Sequence, residues 1–470
     1  MREPENAPNA PRFAGLSTDN SHALAFQDTG MQHALGSWNR IPRVRHRRQV
    51  SIASRSGALP AIADGDSLIA FGNGRSYGDV CLNPGGSVVS TRGLDRFIAF
   101  DRASGELTAE AGCLIAEVLD LVVPMGWFLP VTPGTRFVTL GGAVANDVHG
   151  KNHHRVGSFG HHVVAFELLR SDGTRCLCTA DQNADLFAAT IGGLGLTGLV
   201  TWVKLRLVPI SNAFMVTQTL RFGDLAGFWA LNAALEPDWP YTVAWIDCTS
   251  REGRGLIIAG DHAPMRSDLP VWRERRRSVA IDPPVSLVNG LSLRAFNTLY
   301  YHRPRPRAKT LMHYVPYFYP LDAIGNWNRI YGASGFYQYQ CVLPPDAAKD
   351  AVAALLSEIA VSGSGSFLAV LKTFGDLPSR GLLSFARQGA TLALDFPNAG
   401  AQSERLFARL DAIVRAANGA LYPAKDARMS PDMFRAGYPA WERFADFIDP
   451  AFSSGFWRRV TGADHGRPTA

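Results

Sequence analysis

A chain of 470 residues is too long for one ordinary core, so two domains are the expectation. Hydrophobic residues make up 46% and charged residues 19%, a globular composition with ample core material. The net charge of +6 is small for this length and argues against a dedicated nucleic-acid binder. The six cysteines are scattered without Cys-x-x-Cys spacing, which reads as reduced thiols rather than a disulfide framework or zinc site.

The first twenty residues are polar and proline-rich, with no apolar h-region, and are read as part of a disordered tail rather than a signal peptide. No run approaches the roughly 18 apolar residues that span a bilayer. From Arg43 to Pro209 short strands dominate: SLIAF (Ser67–Phe71), SVVS (Ser87–Ser90), FIAF (Phe97–Phe100) and ELTAEAG (Glu106–Gly112) are punctuated by Gly, Asp and Pro. The period then changes: Ile115, Val118, Leu119 and Val122 fall on one face of a helix that ends near Pro124 and Gly126. HHVVAFELLRSDG reads as a strand entering a turn, and VTWVKLRLV alternates as a half-buried strand.

From about Ile210 the strands YTVAWIDC, GFYQYQCVL and GATLALDFP alternate with the helices DAAKDAVAALLSEIA and AQSERLFARLDAIVRAANG. This α+β order suits an antiparallel sheet with helices on one face. Between Trp272 and Lys309 the pattern breaks down, and WRERRRS and HRPRPRAK concentrate positive charge. That stretch reads either as a solvated loop or as an electrostatic surface for the phosphates of a lipid or membrane.

Three glycine-rich elements punctuate this order. FGNGRSYGDV (Phe71–Val80) lacks both the Gly-Lys-Ser/Thr ending of a P-loop and Gly-x-Gly-x-x-Gly spacing, and alone reads as easily as a turn. Leu129 to Val163 contains a Pro-Gly turn, a Gly-Gly pair and small residues, which leave bare backbone N–H groups where a diphosphate could lie. IGGLGLTGLV (Ile191–Val200) is the third.

In this order and at these intervals, the three elements resemble the vanillyl-alcohol-oxidase-type family of FAD-dependent oxidases. GRSYGD, TPGTR, GGA, HGKNHH, GSFG, WNR, YGASGFYQYQ, LDFP and AKD narrow the likeness to its decaprenylphosphoryl-ribose 2′-oxidase branch, from about Ser37 to Phe452. The resemblance implies an α+β, two-lobed FAD-binding fold with an antiparallel-sheet substrate domain inserted. Its divisions here are a tail at 1–36, an FAD-binding domain at 37–209, a substrate-binding domain at 210–419, and a C-terminal segment at 420–470 that returns to the FAD domain and active site. Gly74-Arg75-Ser76 stands where covalently flavinylated relatives carry Gly-His-Ser, so noncovalent FAD is implied.

By the same resemblance FAD would be held by Gly72, Asn73, Gly74, Arg75, Ser76, Tyr77, Gly78, Gly134, Thr139, Leu140, Gly141, Gly142, Asn146, Asp147, Val148, His149, Leu199 and Tyr422. At Leu199 the neighbouring Val200 could serve equally. Lys425 would take the substrate hydroxyl proton, with His149 as the alternative. Lys151, Gln340, Lys372, Phe318 and Thr391 would meet substrate; strand alternation puts Gln338 and Gln340 on one face and cannot choose between them. Phe318 takes the place of a family tyrosine, with Tyr317 and Tyr319 on either side of it. Mycobacterial-type members carry Asn and Cys where Thr391 and Ala393 stand; that cysteine is the one trapped by covalent nitroaromatic inhibitors, so insensitivity to trapping is implied. A metal site at His149, His153 and His154 is disfavoured, because no acidic ligand is spaced with them.

The implied activity is oxidation of the 2′-hydroxyl of a polyprenylphosphoryl ribose. A nicotinamide-dependent reductase would complete epimerisation to the arabinose form for cell-envelope glycans. Implied location is cytoplasmic or peripheral at the inner membrane. A soluble polyol or aldonolactone oxidase is the second reading, and a catalytically silent flavin-binding protein the third.

Overall fold

Two antiparallel sheets and a small parallel one frame the protein. The computed structural model describes residues 35–63, 65–303 and 309–462. Residues 1–34 of the tail expected at 1–36, and the basic stretch at 304–308, lie outside the described residues. Among the described residues no helix is long and apolar enough to cross a membrane.

The N-terminal third builds a parallel three-stranded sheet from Arg48–Ser51, Ser87–Ser90 and Leu68–Phe71, in that order. Beside it an antiparallel five-stranded sheet runs Phe97–Asp101, Glu106–Glu110, Leu199–Arg206, Val163–Leu169, Arg175–Thr179. The helix read from apolar spacing spans Ile115–Val122, and its four periodic residues are fully buried. It ends through a proline-containing turn at Gly126, whose φ of 83° suits a residue without Cβ.

The eight-stranded sheet is antiparallel, in the order Lys309–His313, Phe214–Phe222, Gly255–His262, Tyr241–Ile246, Ala369–Phe374, Gly389–Pro397, Phe336–Leu343, Ala420–Leu421. One face is covered by the helices Leu225–Leu235, Ala348–Ser362 and Ala401–Ala416. Leu355, Leu356, Ile359, Leu406, Phe407 and Leu410 of the last two form the core against it. Side-chain alternation fixes what each face does. Tyr337 and Tyr339 pack on Phe407 of the covering helix, so Gln338 and Gln340 must point to the opposite face.

A helix at Gly290–His302 lies within the stretch that sequence periodicity left irregular. Its Leu293 and Asn297 are buried, but Leu291 and Leu299 are 82% and 72% exposed, so its apolar residues do not gather on one face. An inward stripe was therefore not legible in the pattern.

The chain ends by coming back. Leu68 N–H donates to Ala451 O, and the helix Gly455–Thr461 places Arg459 between two carboxylates, Asp79 at 2.7 Å and Asp426 at 3.0 Å. Both carboxylates are almost fully buried, with the Arg459 side chain 26% exposed. Arg459→Met should lower unfolding stability by about 3 kcal/mol, toward the low end for breaking a buried pair because the guanidinium keeps some solvent. Urea titration of the two proteins measures this, and equal midpoints would show that the triad contributes nothing.

Candidate active site

A cavity of about 420 Å³ opens between the uncovered face of the eight-stranded sheet and the glycine-rich segments. Its first wall is Gly72–Tyr77, which leaves the end of the strand Leu68–Phe71. Gly74 has φ +58°, and a Cβ there would come within 2.8 Å of Gly36 O. Asn73 Nδ2 donates to Phe137 O at 2.7 Å. The Arg75 guanidinium lies 4.1 Å from the Trp38 ring centre and 5.4 Å from that of Phe137, with its Nε unpartnered. Burial lowers its pKa, opposed by Asp322.

The second wall comes from residues 133–149. Thr139 caps the short helix Leu140–Ala145 by accepting from Gly142 N–H at 3.1 Å. A Cβ on Gly72 would sit 2.5 Å from Thr139 Oγ1, so the two glycine segments touch. At Gly134 a Cβ would meet nothing within 4 Å; its vacant side faces open space. Asn146 Nδ2 donates to Gly142 O while its Oδ1 is unpartnered, and Tyr422 O–H donates to Asn146 O. Leu194, Gly195, Gly198, Leu199 and Val200 supply the third segment.

The sheet supplies the floor. Antiparallel register places Gln338 opposite Asp395, Gln340 opposite Ala393, and Lys372 opposite Thr391. Gln340 Nε2 donates to His149 Nε2 at 3.1 Å and lies 3.3 Å from Thr391 Oγ1. His149 packs between Phe374, Phe385 and Tyr422, and its Nδ1 has no partner among the described residues. Burial drives its pKa well below the ordinary value, reinforced by Lys372, His153 and Lys425, so the ring is neutral.

Lys372 donates to Gly150 O at 2.7 Å; burial lowers its pKa to about 7, helped by the charge of Lys151. Lys425 lies 3.8 Å from the Tyr77 ring centre. Burial lowers its pKa to about 8, against an opposing pull from Asp395. Asp395 is itself buried: its pKa is pushed up to about 7, Gln338 Nε2 donates to one carboxylate oxygen at 2.6 Å, and the other oxygen has no partner. Two groups of opposite charge thus sit where neither is well solvated, and each favours the charged form of the other.

Most of the residues singled out in the sequence converge here: of these, Gly72 to Tyr77, Gly134, Thr139, Gly141, Gly142, Asn146, Val148, His149, Leu199, Gln340, Lys372, Thr391, Tyr422 and Lys425 line one cavity. Val200 lines it beside Leu199, and Gln338 beside Gln340. Five lie behind the lining. Gly78, at φ +72°, packs so closely on Asp426 that a Cβ would overlap its carbonyl oxygen. Leu140 is core. Asp147 turns its carboxylate away to accept from Ser158, Ser384 and the Gly160 N–H. Lys151 donates to Tyr317 O and lies 4.4 Å from that ring centre. Phe318 packs on Phe128 and Tyr241, and its neighbour Tyr319 hydrogen-bonds Thr132. Sequence reasoning missed Asp395, Trp38, Phe137 and Trp327. Asp395 and Trp327 stood inside LDFP and WNR and Phe137 inside the second glycine-rich element, and Asp395 carried a physical signal as well, since a carboxylate in a buried strand needs a partner.

The arrangement fits FAD. Glycine backbone lines the cavity, and Arg75 Nε, Asn146 Oδ1 and His149 Nδ1, which have no partner among the described residues, belong to residues that line it. The FAD binding domain family matches residues 60–179. A decaprenylphosphoryl-β-D-ribose oxidase from Mycolicibacterium smegmatis is 34% identical over 422 residues, covering 84% of this chain and 89% of that protein. An uncharacterized protein from Streptomyces coelicolor is 36% identical over 370 residues, 73% of this chain and 98% of its own. Mouse L-gulonolactone oxidase matches over 140 residues at 30% identity, 29% of this chain and 31% of that enzyme.

Asp395→Asn removes the carboxylate that favours the Lys425 ammonium. The Lys425 pKa should then drop below about 8, a loss of roughly tenfold in proton affinity. Carbon NMR of the labelled lysine side chain across pH reads this directly; an unmoved midpoint would mean the two groups do not interact.

Proposed function

The chain belongs to the decaprenylphosphoryl-β-D-ribose oxidase family, and on that premise we propose that it oxidises the 2′-hydroxyl of a polyprenylphosphoryl-β-D-ribose to the 2′-keto sugar. It is an FAD-dependent oxidoreductase. The observation that carries the proposal is Lys425, desolvated to a pKa of about 8 and lining the same cavity as the glycine segments. FAD, when bound, supplies the acceptor for the hydride that leaves C2′.

In this reading Lys425 takes the hydroxyl proton as a neutral amine, and its burial is what makes that form accessible near neutral pH. Asp395 stabilises the ammonium produced, held in place by Gln338. His149, neutral and fixed by Gln340, presents its free Nδ1–H to cofactor or sugar. Lys372 meets the ribose or its phosphate, and Lys151 behind it adds to the positive potential. Thr391 and Ala393 are walls without a thiol, consistent with escape from cysteine trapping.

Noncovalent attachment is supported by Arg75 at the position of the attachment histidine. Residues 37–209 with 420–470 are read as the FAD lobe and 210–419 as the substrate lobe. The two sheets divided at about residue 210 support this, as do the returning contacts of Phe452 and Arg459. The strand Ala420–Leu421 belongs to the eight-stranded sheet, so the C-terminal segment leaves from the substrate lobe. A nicotinamide-dependent reductase would complete epimerisation to the arabinose form. A soluble polyol or aldonolactone as substrate has only the partial match to L-gulonolactone oxidase in its favour.

Anaerobic addition of a polyprenylphosphoryl ribose should bleach the yellow protein, and persistence of the colour would overturn the substrate. Lys425→Ala should keep its flavin absorbance and lose about 100-fold or more in turnover. Wild-type kcat should rise with pH toward a midpoint near 8, because the acting form is the unprotonated amine. Gly134→Val, which projects into open space, should yield folded protein largely free of FAD, measured by the ratio of flavin to protein absorbance.

A further inference from the structure

The segment from Met265 to Arg303 is exposed in a way that core packing does not explain. Val271, Ile281, Val285, Leu287, Leu291 and Leu299 are between 52% and 89% exposed. Single exposed apolar residues are ordinary, but six within thirty positions of one segment, beside a cavity mouth, are not. Leu291, Ala295 and Leu299 fall at i, i+4, i+8 and form one row on the outer side of the helix Gly290–His302, opposite the buried Leu293 and Asn297.

The same segment contains seven arginines and three carboxylates. Each carboxylate is already held: Asp268 by Arg266, Glu274 by Arg276 and Arg136, Asp282 by Arg40. Among the described residues, Arg273, Arg275, Arg277, Arg294 and Arg303 stand exposed without such pairing. Exposed apolar side chains interspersed with uncompensated arginines complement a surface that is anionic outside and apolar beneath.

Its place in the fold is fixed against the site. Arg277–Ser278 pairs in parallel with Ile324–Gly325, and Leu287 N–H donates to Ile330 O. Ile324, Gly325, Asn326 and Trp327 line the cavity. Tyr77, the ring beneath Lys425, lies in the same packed cluster as Val288 and Leu293. The exposed segment is therefore the outer lining of the cavity's lip.

We propose that the Met265–Arg303 surface docks on an anionic lipid bilayer and sets the cavity mouth against it. The choice of a bilayer over a protein partner rests on the polyprenyl substrate proposed above. A substrate anchored by its tail must be met at the membrane plane, and a lip with apolar side chains among cations lets the sugar phosphate enter without the tail crossing water.

Flotation of the full FAD-loaded chain with vesicles tests this. Vesicles of phosphatidylcholine containing phosphatidylglycerol should capture it, and pure phosphatidylcholine vesicles far less. Combining Arg273→Ser, Arg275→Ser and Arg277→Ser should weaken capture by about 100-fold, near fivefold for each arginine. Leu291→Asp with Leu299→Asp should weaken it at least tenfold, and circular dichroism should show both proteins folded. Turnover of a water-soluble, short-prenyl ribosyl phosphate should be unchanged in either, since none of these residues lines the cavity. Absence of wild-type capture, equal capture by both vesicles, or undiminished capture of the variants would each overturn the proposal. So would variants that bind vesicles normally but lose binding to the partner reductase. Capture as expected without turnover of the soluble substrate would support the surface and sink the reaction proposed above.

Discussion

The site depends on one buried triad. Asp79 and Asp426 are distant in sequence, each adjacent to a residue of the site or its support, and Arg459 holds both. Asp79 follows Gly78 at the end of the first glycine segment; Asp426 follows Lys425. Around the triad the two segments are fitted without slack. Tyr77 N–H donates to Ala424 O, and Gly78 leaves no room for a side chain against Asp426. Two carboxylates this close together and this deep would repel each other without the guanidinium. The ion pair thus pins the lysine to the backbone cradle across nearly the whole length of the chain.

What the triad positions is charge in a poor solvent. Lys151, Lys372 and Lys425 are all lowered chiefly by burial, while Asp395 is raised by it. In an open setting these groups would be permanently ionised and chemically idle near neutral pH. Desolvation brings an amine and a carboxyl into the range where a proton can move between states, and their mutual attraction limits the shift of each. The neutral His149 belongs to the same logic: burial disfavours its charged form first, and the neighbouring Lys372 and Lys425 oppose that charge further.

The eight-stranded sheet explains why such groups can share a cavity with glycine loops. Helices bury one face, and strand alternation then commits every second residue of three adjacent strands to the other. Gln338, Gln340, Lys372, Thr391 and Asp395 are consequences of register, and the glycine segments close over them from the other side. The exposed arginine-rich segment continues this architecture outward at the cavity lip.

Local signals in the sequence determined a good deal. Apolar spacing located the helix Ile115–Val122, alternation separated Gln338 and Gln340 from Tyr337 and Tyr339, and the glycine intervals marked the backbone cradle. Each is a short-range steric or periodic rule, legible within a few residues. The helix Gly290–His302 escaped because its apolar residues face two ways. Tertiary structure alone decided that Asp147 and Lys151 turn from the cavity they adjoin, that Phe318 joins an aromatic core, and that Asp395 lies close enough to Lys425 to bias its proton. It also decided that Arg459 meets Asp79 and Asp426. Pairings across hundreds of residues, and the desolvation they create, depend on which surfaces meet when the chain closes on itself, and no local pattern encodes that.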